Sequence, residues 1–289
     1  MATKEKFDIY KDVTRRIVMS LAQGEIPWRQ RWCSPVNIKV NYVSRRPYSG
    51  INLLLLRDMG EYLTFNQCDS LGGHIKKGEH AKTIYTWFPF VRKEDKEEYE
   101  RRKKAGENTD DLTIPVLRFN KVFHLSQTEG IKTKIETPEN EQAGKPVDIA
   151  EWILSRYGED TGITIKEKQA DTCTFDSSTG ILTVPSRGQF RKEEQWYGTV
   201  FQQLALAMAE GAQAKDAEKK TNPAMAELVA EIAASMVMTG VGLDIQQTRE
   251  DTLAACSRWS RELEADARLV VTASGRAQKI AEHILQPLL

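Results

Sequence analysis

The chain has 289 residues, with 41 Lys and Arg against 41 Asp and Glu, and 40% of the residues are hydrophobic. This composition excludes a wholly disordered protein, and the length predicts about two domains. No uninterrupted apolar run approaches the roughly 20 residues of a membrane-spanning helix. The polar first twelve residues lack the apolar stretch of a signal peptide, so we expect a cytoplasmic protein with no membrane partner.

The neutral total conceals two halves of opposite charge. Residues 1–135 hold 25 Lys and Arg against 17 Asp and Glu, a net charge of +8, and residues 136–289 hold 16 against 24, a net charge of −8. A basic half indicates a site for a polyanion, with an ordinary charged surface as the alternative. The cysteines form no CxxC pair and indicate reduced, buried thiols: Cys33, Cys68, Cys173 and Cys256.

The first part of the chain predicts short helices and one pair of strands. Apolar residues at helical spacing predict a first helix that ends before Gly24 and Pro27. The densely charged segment 92–111 predicts a solvated helix or mobile excursion in preference to a binding arm. The other predicted elements are helices over 48–59 and 64–71, and strands over 82–91 and 116–125.

The second part predicts strands followed by helices. Residues 132–148 have no apolar periodicity and contain Pro138, Gly144 and Pro146, which indicates a linker. A helix over 147–157 precedes three short alternating segments that predict a small antiparallel sheet. These segments are 162–168, 172–176 and 180–185, and predicted helices follow at about 191–210, 222–240, 245–266 and 273–286. The fold class is therefore α+β with two domains, residues 1–131 and 148–289, joined by a linker over 132–147.

Residues 25–50 interleave aromatic and cationic side chains in a segment too rich in Pro and Gly for one regular element. Sites for single-stranded nucleic acid need this pairing, because bases stack on flat side chains while cations contact the phosphates. The alternative is that Trp28 and Trp32 anchor the core of an irregular loop. The turn at 72–78 carries Lys76 and Lys77, and it either contacts a phosphate or joins a helix to a strand.

Four segments of the first half resemble the N-terminal domain of ArdC-type antirestriction proteins. They are VTRRIVMSLAQGEIPWRQRW, RRPYSGINLLLL, LTFNQCDSLGGHIKKGE and VFHLSQTEG. The resemblance covers about 125 residues and implies single-stranded DNA binding, with one departure where Arg31 replaces a common Pro. The matching motif positions are Pro27, Trp28, Trp32, Asn37, Arg46, Tyr48, Gly50, Asn52, Lys77, Gly78, Phe123, Gln127 and Gly130.

The resemblance and the aromatic and charge pattern together give a predicted DNA-binding set. We assign base stacking to Trp28, Trp32 and Tyr48, and positioning to Asn52. The predicted phosphate contacts are Arg29, Arg31, Arg45, Arg46, Lys76 and Lys77.

The second half is similar to the zincin-like metallopeptidase domain of the same family, through TFDSSTGILTVPSRGQFRKEEQWYGTVFQQLALAMAEG. In a zinc peptidase of this kind, a helix carries HExxH, with two His ligands and a Glu general base. Here the motif falls on Gln202, Gln203, Leu204, Ala205 and Leu206, so both imidazoles and the carboxylate are missing. The motif of the later helix is retained as Glu227 and Glu231, which we expect to face solvent or to hydrogen-bond across the former cleft.

These features predict a degenerate peptidase domain that binds no catalytic metal, needs no cofactor and is not an enzyme. The predicted function is antirestriction for a mobile element such as a plasmid or phage, through binding of single-stranded DNA. Two alternatives stay open at this point: a protein-interaction module that inhibits a host restriction or defence protein, and an active metallopeptidase.

Overall fold

The computed structural model describes residues 8–29, 39–135, 145–214, 223–244 and 249–288. The helices in this part of the chain are α1 Ile9–Ala22, α2 Ile51–Leu55, α3 Phe65–Ser70, α4 Lys96–Ala105, α5 Pro146–Thr161, α6 Glu193–Ala214, α7 Pro223–Val241, α8 Arg249–Ala265 and α9 Leu269–Leu285. The strands are β1 Lys39–Asn41, β2 Gly60–Leu63, β3 His74–Ile75, β4 Lys82–Val91, β5 Thr113–His124, β6 Thr128–Glu129, β7 Thr164–Lys168, β8 Thr174–Asp176 and β9 Ile181–Pro185. The predicted α+β class is confirmed.

The described residues cluster into two compact units. The hairpin unit comprises Leu63–Ile131 with Asp8 and Ile9, and the helical unit comprises Tyr10–Tyr62 and Lys132–Leu289 apart from the segments outside the description. The division inferred from the sequence instead grouped all residues up to 131. Most of the predicted linker, residues 136–144, lies outside the described residues.

The hairpin unit is built on one long antiparallel ribbon. Strands β4 and β5 pair continuously, from Lys82 opposite Val122 to Val91 opposite Thr113. Between them, α4 carries the charged run as a solvated helix, as predicted, with Arg101 and Arg102 paired to Glu98. A short antiparallel pair, β3 with β6, and the capped helix α3 complete the unit.

The helical unit contains two groups of hydrogen-bonded strands. Strands β1 and β2, neither of which the sequence predicted, pair in parallel. In the other sheet, β9 lies between β7 and β8. The β8–β9 pair is antiparallel as expected, but β7 runs parallel to β9, so the expected antiparallel arrangement is corrected for that pair. Helix α5 precedes β7 and is capped at its C-terminus by Gly162, whose backbone is in the left-handed region (φ 73°).

Helix α7 is the centre of the core of the helical unit. It packs against α6 and α9, and it buries a continuous apolar surface of Leu228, Ile232, Val237 and Met238. Among the described residues, α7 is long and apolar enough to cross a membrane, and 61% of its most apolar 18-residue stretch is buried inside the protein. A helix in the core of a globular protein is buried and apolar in the same way.

The three described cysteines are free thiols. Cys68 and Cys256 are buried, whereas Cys173 is half-buried, and burial raises the pKa of each thiol. The prediction of buried thiols is thus corrected for Cys173, and Cys33 lies outside the described residues.

Candidate functional site

The degenerate peptidase motif lies on α6, where it faces neighbouring helices. Leu204 and Ala205 are buried, and Gln202, Gln203 and Leu206 are half-buried. Helix α6 packs on α7, which carries Glu227 and Glu231. The two helices that the resemblance aligns with a zincin helix pair therefore pack together, with amides and an aliphatic side chain at the motif positions.

Glu231 is a hydrogen-bonded carboxylate of the helical unit. Its Oε1 accepts hydrogen bonds from Trp28 Nε1 at 3.1 Å and from the guanidinium of Arg29, and its Oε2 accepts one from Trp259 Nε1 at 2.7 Å. Only 14% of the Glu231 side chain and 13% of the Arg29 side chain are exposed. One turn further along α7, the Ser235 hydroxyl donates to the carbonyl of Trp28. We therefore call Trp28, Arg29, Glu231, Ser235 and Trp259 the Glu231 cluster.

Glu227, one turn before Glu231, is in a more open environment. It forms an ion pair with Arg258, and 40% of the Glu227 side chain and 47% of the Arg258 side chain are exposed. The Arg258 guanidinium also lies over the ring of Trp259, 4.7 Å from its centroid. Glu231 therefore takes the hydrogen-bonded arrangement of the two expected, whereas Glu227 is partly exposed and accepts a hydrogen bond from Arg258.

This donor set does not fit the zinc ion that the zincin fold implies. Zinc in such sites is bound by imidazole, thiolate or carboxylate groups, whereas Gln202 offers an amide and Leu206 offers no lone pair. Both oxygens of Glu231 already accept hydrogen bonds. His283, on α9, packs edge-on against Tyr157 with the ring centroids 5.9 Å apart. Within the part of the chain that the structure describes, no three His, Cys, Asp or Glu side chains are grouped so as to hold a metal ion.

Two members of the predicted DNA-binding set are core residues. Trp28 is 4% exposed and Asn52 is 5% exposed. A buried indole presents no face to a base, so the burial of Trp28 favours the alternative considered from the sequence, in which this residue anchors the core. Asn52, at the start of α2, likewise offers no surface to DNA.

Two of the arginines predicted to contact phosphates form ion pairs within the helical unit. Arg29 belongs to the Glu231 cluster, and Arg45 forms an ion pair with the buried carboxylate of Glu61. Glu61 also accepts hydrogen bonds from Thr133 Oγ1 at 2.8 Å and from the backbone N–H of Lys134 at 3.0 Å. The charges of both arginines therefore neutralise carboxylates of this chain.

The remaining predicted residues differ in accessibility. Tyr48 is half-buried and packs edge-on against Tyr62 with ring centroids 5.8 Å apart, and burial raises the pKa of Tyr48. Arg46 and Lys77 are exposed, as is Lys76, whose ammonium donates to the carbonyl of Ser126 at 2.8 Å. Arg31 and Trp32 lie outside the described residues.

The ribbon of the hairpin unit exposes aromatic side chains that sequence reasoning did not assign to a site. Phe88 and Phe90 on β4 are each 45% exposed, and Ile114 and Val116 on β5 are 39% and 36% exposed. The Arg118 guanidinium lies over the Phe88 ring, 4.0 Å from its centroid. We call these five side chains the hairpin face. The run from Trp87 to Val91 was a signal for a strand, but an uninterrupted apolar run is typical of a buried strand.

Comparisons with known proteins agree with the architecture. Residues 7–123 match the family described as the N-terminal domain of anti-restriction factor ArdC, and residues 154–276 match the family described as zincin-like metallopeptidase. Two solved structures of the antirestriction ArdC protein from the R388 plasmid share the fold. The metal-free structure has a TM-score of 0.68 at 22% identity, and the Mn(II)-bound structure has 0.69 at 23% identity. Each comparison covers 97% of this chain, and 97% and 98% of the respective ArdC chains.

Residues 7–123 belong to the ArdC N-terminal domain family and residues 154–276 to the zincin-like metallopeptidase family, which together support an ArdC-type antirestriction protein. Among curated relatives, two proteins named DNA primase TraC from Escherichia coli are each 26% identical over 99% and 97% of this ArdC-type chain. The chain spans only 20% and 27% of the length of those two relatives. The uncharacterized protein y4eC from Sinorhizobium fredii is 24% identical, with 95% of this chain and 91% of that protein covered.

Proposed function

We propose that this ArdC-type chain binds single-stranded DNA and acts in antirestriction by binding, not by catalysis. The observation that carries the proposal is an ArdC-type N-terminal region joined to a zincin-like region without the HExxH side chains. Binding is the activity that such a chain retains. The net charge of +8 over residues 1–135 supports a polyanionic ligand. The protein acts in the cytoplasm on DNA of a mobile element.

The peptidase-like helices act as a scaffold in this proposal. Peptide hydrolysis by a zincin needs a metal with an open coordination position and a general base. Gln203 stands where the base would be, and an amide does not take up a proton at neutral pH. The Glu231 carboxylate contributes instead to the packing of residues 26–29 on α7 and α8.

The binding half of the proposal is tested by fluorescence anisotropy of a labelled single-stranded oligonucleotide and of its duplex, over a salt titration. We expect tighter binding to the single strand, with an affinity that falls steeply with salt because phosphate contacts release counterions. No binding at low salt would refute the proposal and direct the search to a host restriction or defence protein.

The non-catalytic half is tested by metal content. After dialysis against zinc and then buffer, we expect the wild-type chain to hold far less than one zinc per chain. The matched control is the triple variant Gln202→His, Gln203→Glu, Leu206→His, which restores the motif and should gain zinc. One zinc per wild-type chain, with protease activity that a chelator abolishes, would overturn this half.

A further inference from the structure

We propose that the hairpin face, formed by Phe88, Phe90, Ile114, Val116 and Arg118, is the surface on which bases of single-stranded DNA stack. This inference rests on the proposed function, and it moves the stacking residues from the segment at 25–50 to the β4–β5 ribbon. Trp28 is 4% exposed, so its ring offers no face on which a base could stack.

The register of the ribbon places these side chains on one face. Phe88 is opposite Val116, Phe90 is opposite Ile114, and Thr86 is opposite Arg118. Since side chains alternate between the two faces of a strand, residues 86, 88 and 90 share a face with residues 114, 116 and 118. The two rings are therefore neighbours on a continuous exposed surface.

The spacing of the rings suits stacked bases. Phe88 and Phe90 lie two residues apart, which corresponds to about 7 Å along a strand. That distance is about twice the 3.4 Å rise per nucleotide of one DNA strand, so each ring can contact a different base. On one side of Phe88 the Arg118 guanidinium lies over the ring, 4.0 Å from its centroid, so a base approaching from that side would stack on the guanidinium plane.

The charge of the ribbon favours nucleic acid as the occupant. Strands β4 and β5 contain no Asp or Glu, and by the same register Lys82 and Arg118 lie on this face, whereas Lys121 lies on the other face opposite Thr83. A protein partner would bind through contacts with the apolar side chains and would not need the cations. Single-stranded DNA would use both, because its bases stack on exposed aromatic rings and its phosphates are attracted to nearby cations. Asn120 and Thr86, which hydrogen-bond at 3.4 Å on the same face, add polar groups of the kind that contact base edges.

The test compares oligonucleotide affinity of the full chain with that of the double variant Phe88→Ala, Phe90→Ala. Each stacked ring contributes enough that we expect at least a tenfold loss of affinity. The matched control is Phe65→Ala, because Phe65 is a 60% exposed phenylalanine of the same unit that lies on α3. The control should bind like the wild type.

Two single variants separate stacking from plain apolar contact. Phe88→Leu keeps an apolar side chain but removes the flat ring, so it should weaken binding severalfold, while Phe88→Trp should restore or exceed wild-type affinity. Arg118→Gln should lower the steepness of the salt dependence by about 0.7 in log–log slope, the share of one phosphate contact. Photocrosslinking of a bromouracil oligonucleotide should label peptides from 82–91 or 113–124.

The outcomes distinguish this inference from the proposed function. If the wild type binds single-stranded DNA and the double variant binds it equally well, the hairpin face is not the site and the proposed function stands. If the wild type does not bind, both fail. If the double variant abolishes only self-association or capture of a protein, with DNA affinity unchanged, the hairpin face is a protein interface and the inference is overturned.

Discussion

Glu231 receives three donors from parts of the chain that are far apart in sequence. Trp28 and Arg29 precede it by about 200 residues, and Trp259 lies on α8. A carboxylate that is this little exposed is costly unless it is paired and hydrogen-bonded, and here both oxygens are satisfied. Glu231, one of the two glutamates retained in the later helix motif, is thus a packing residue of the helical unit.

Replacing Glu231 should therefore cost stability. Glu231→Gln keeps the shape but leaves Arg29 without its counter-charge and turns an amide N–H₂ toward donors. Loss of one partner of a buried pair costs 3–5 kcal/mol, and the residual exposure here lowers the expected loss to about 2–4 kcal/mol. The measurement is urea unfolding followed by tryptophan fluorescence.

The matched control for Glu231→Gln is Glu227→Gln, one turn away on the same helix. Its ion pair with Arg258 is largely exposed, so the expected loss is below about 1 kcal/mol. Equal losses for the two variants would contradict a special role for the Glu231 cluster.

Asp176 gives a pH prediction at the turn between β8 and β9. Its carboxylate accepts hydrogen bonds from the Ser178 N–H, the Ser178 hydroxyl and the Thr179 hydroxyl at 2.9, 2.6 and 2.8 Å. These bonds lower the pKa of Asp176 from 3.8 to about 2. Because the folded-state pKa is depressed, the stabilisation is present above about pH 4 and is lost as the pH falls through about 2.

The check is an NMR titration of the Asp176 carboxyl carbon. It should titrate near pH 2, and the stability difference between wild type and Asp176→Asn should shrink over pH 4 to 2. A midpoint near 4 would mean that the turn does not hold the carboxylate.

The sequence predicted which residue types matter at the site better than where they lie. The absence of HExxH can be recognised in the sequence at residues 202–206, because the ability to bind a metal depends on side-chain identity. The burial of Trp28 cannot be predicted from the local sequence, because its hydrogen-bond partner Glu231 is about 200 residues away. Nor does local sequence reveal that Arg45 serves the buried Glu61. Long-range pairing decides whether an arginine faces DNA or a carboxylate.

At the scale of elements, local signals placed most helices and strands within a few residues. Strand β4 was predicted over its full length, and α3 follows from the Thr64 and Gln67 capping box. Strands β1, β2, β3 and β6 were missed because two to four residues give no periodicity. The parallel pairing of β7 was missed because it depends on which strand lies beside β7. The exposure of Phe88 and Phe90 was missed for the same reason, because an apolar run does not specify what covers it.

Two glycines give opposite predictions at this scale. A Cβ on Gly73 would lie 2.5 Å from a side-chain carbon of Ile131 and 2.8 Å from the carbonyl oxygen of Glu129, beside the β3–β6 pair. Gly73→Ala should therefore destabilise the protein by about 1–3 kcal/mol. A Cβ on Gly275, within α9, meets nothing within 4 Å, so Gly275→Ala should stabilise it by up to about 1 kcal/mol. Urea midpoints measure both, and a stabilising Gly73→Ala would show that the β3–β6 pair yields easily.

At the scale of the whole molecule, residues 10–62 contribute to the helical unit. The Thr14 hydroxyl donates to the carbonyl of Ala267 at 2.8 Å, and the Gly50 N–H donates to Gln278 at 2.6 Å. Arg268 lies over the ring of Tyr10, 5.0 Å from its centroid. Together with the Glu231 cluster, these contacts make residues 10–62 part of the same compact unit as the peptidase-like helices. We therefore expect that the boundary between the two family matches is not a folding boundary.

A truncated chain tests this organisation. A fragment of residues 132–289 lacks Trp28 and the buried face of α1, Val13, Ile17 and Leu21, and it leaves Glu231 without Arg29. The apolar surface that these side chains cover would be exposed, at a cost of about 1.5–3 kcal/mol for each large side chain, which is comparable with the stability of a whole domain. We therefore expect the fragment to lack a cooperative urea transition by circular dichroism and tryptophan fluorescence. Addition or co-expression of residues 10–62 should restore it, and a fragment carrying Glu231→Gln should be restored less well. If residues 132–289 alone unfold cooperatively at the wild-type urea midpoint, then this fragment is stable by itself and residues 10–62 are not required for its folding.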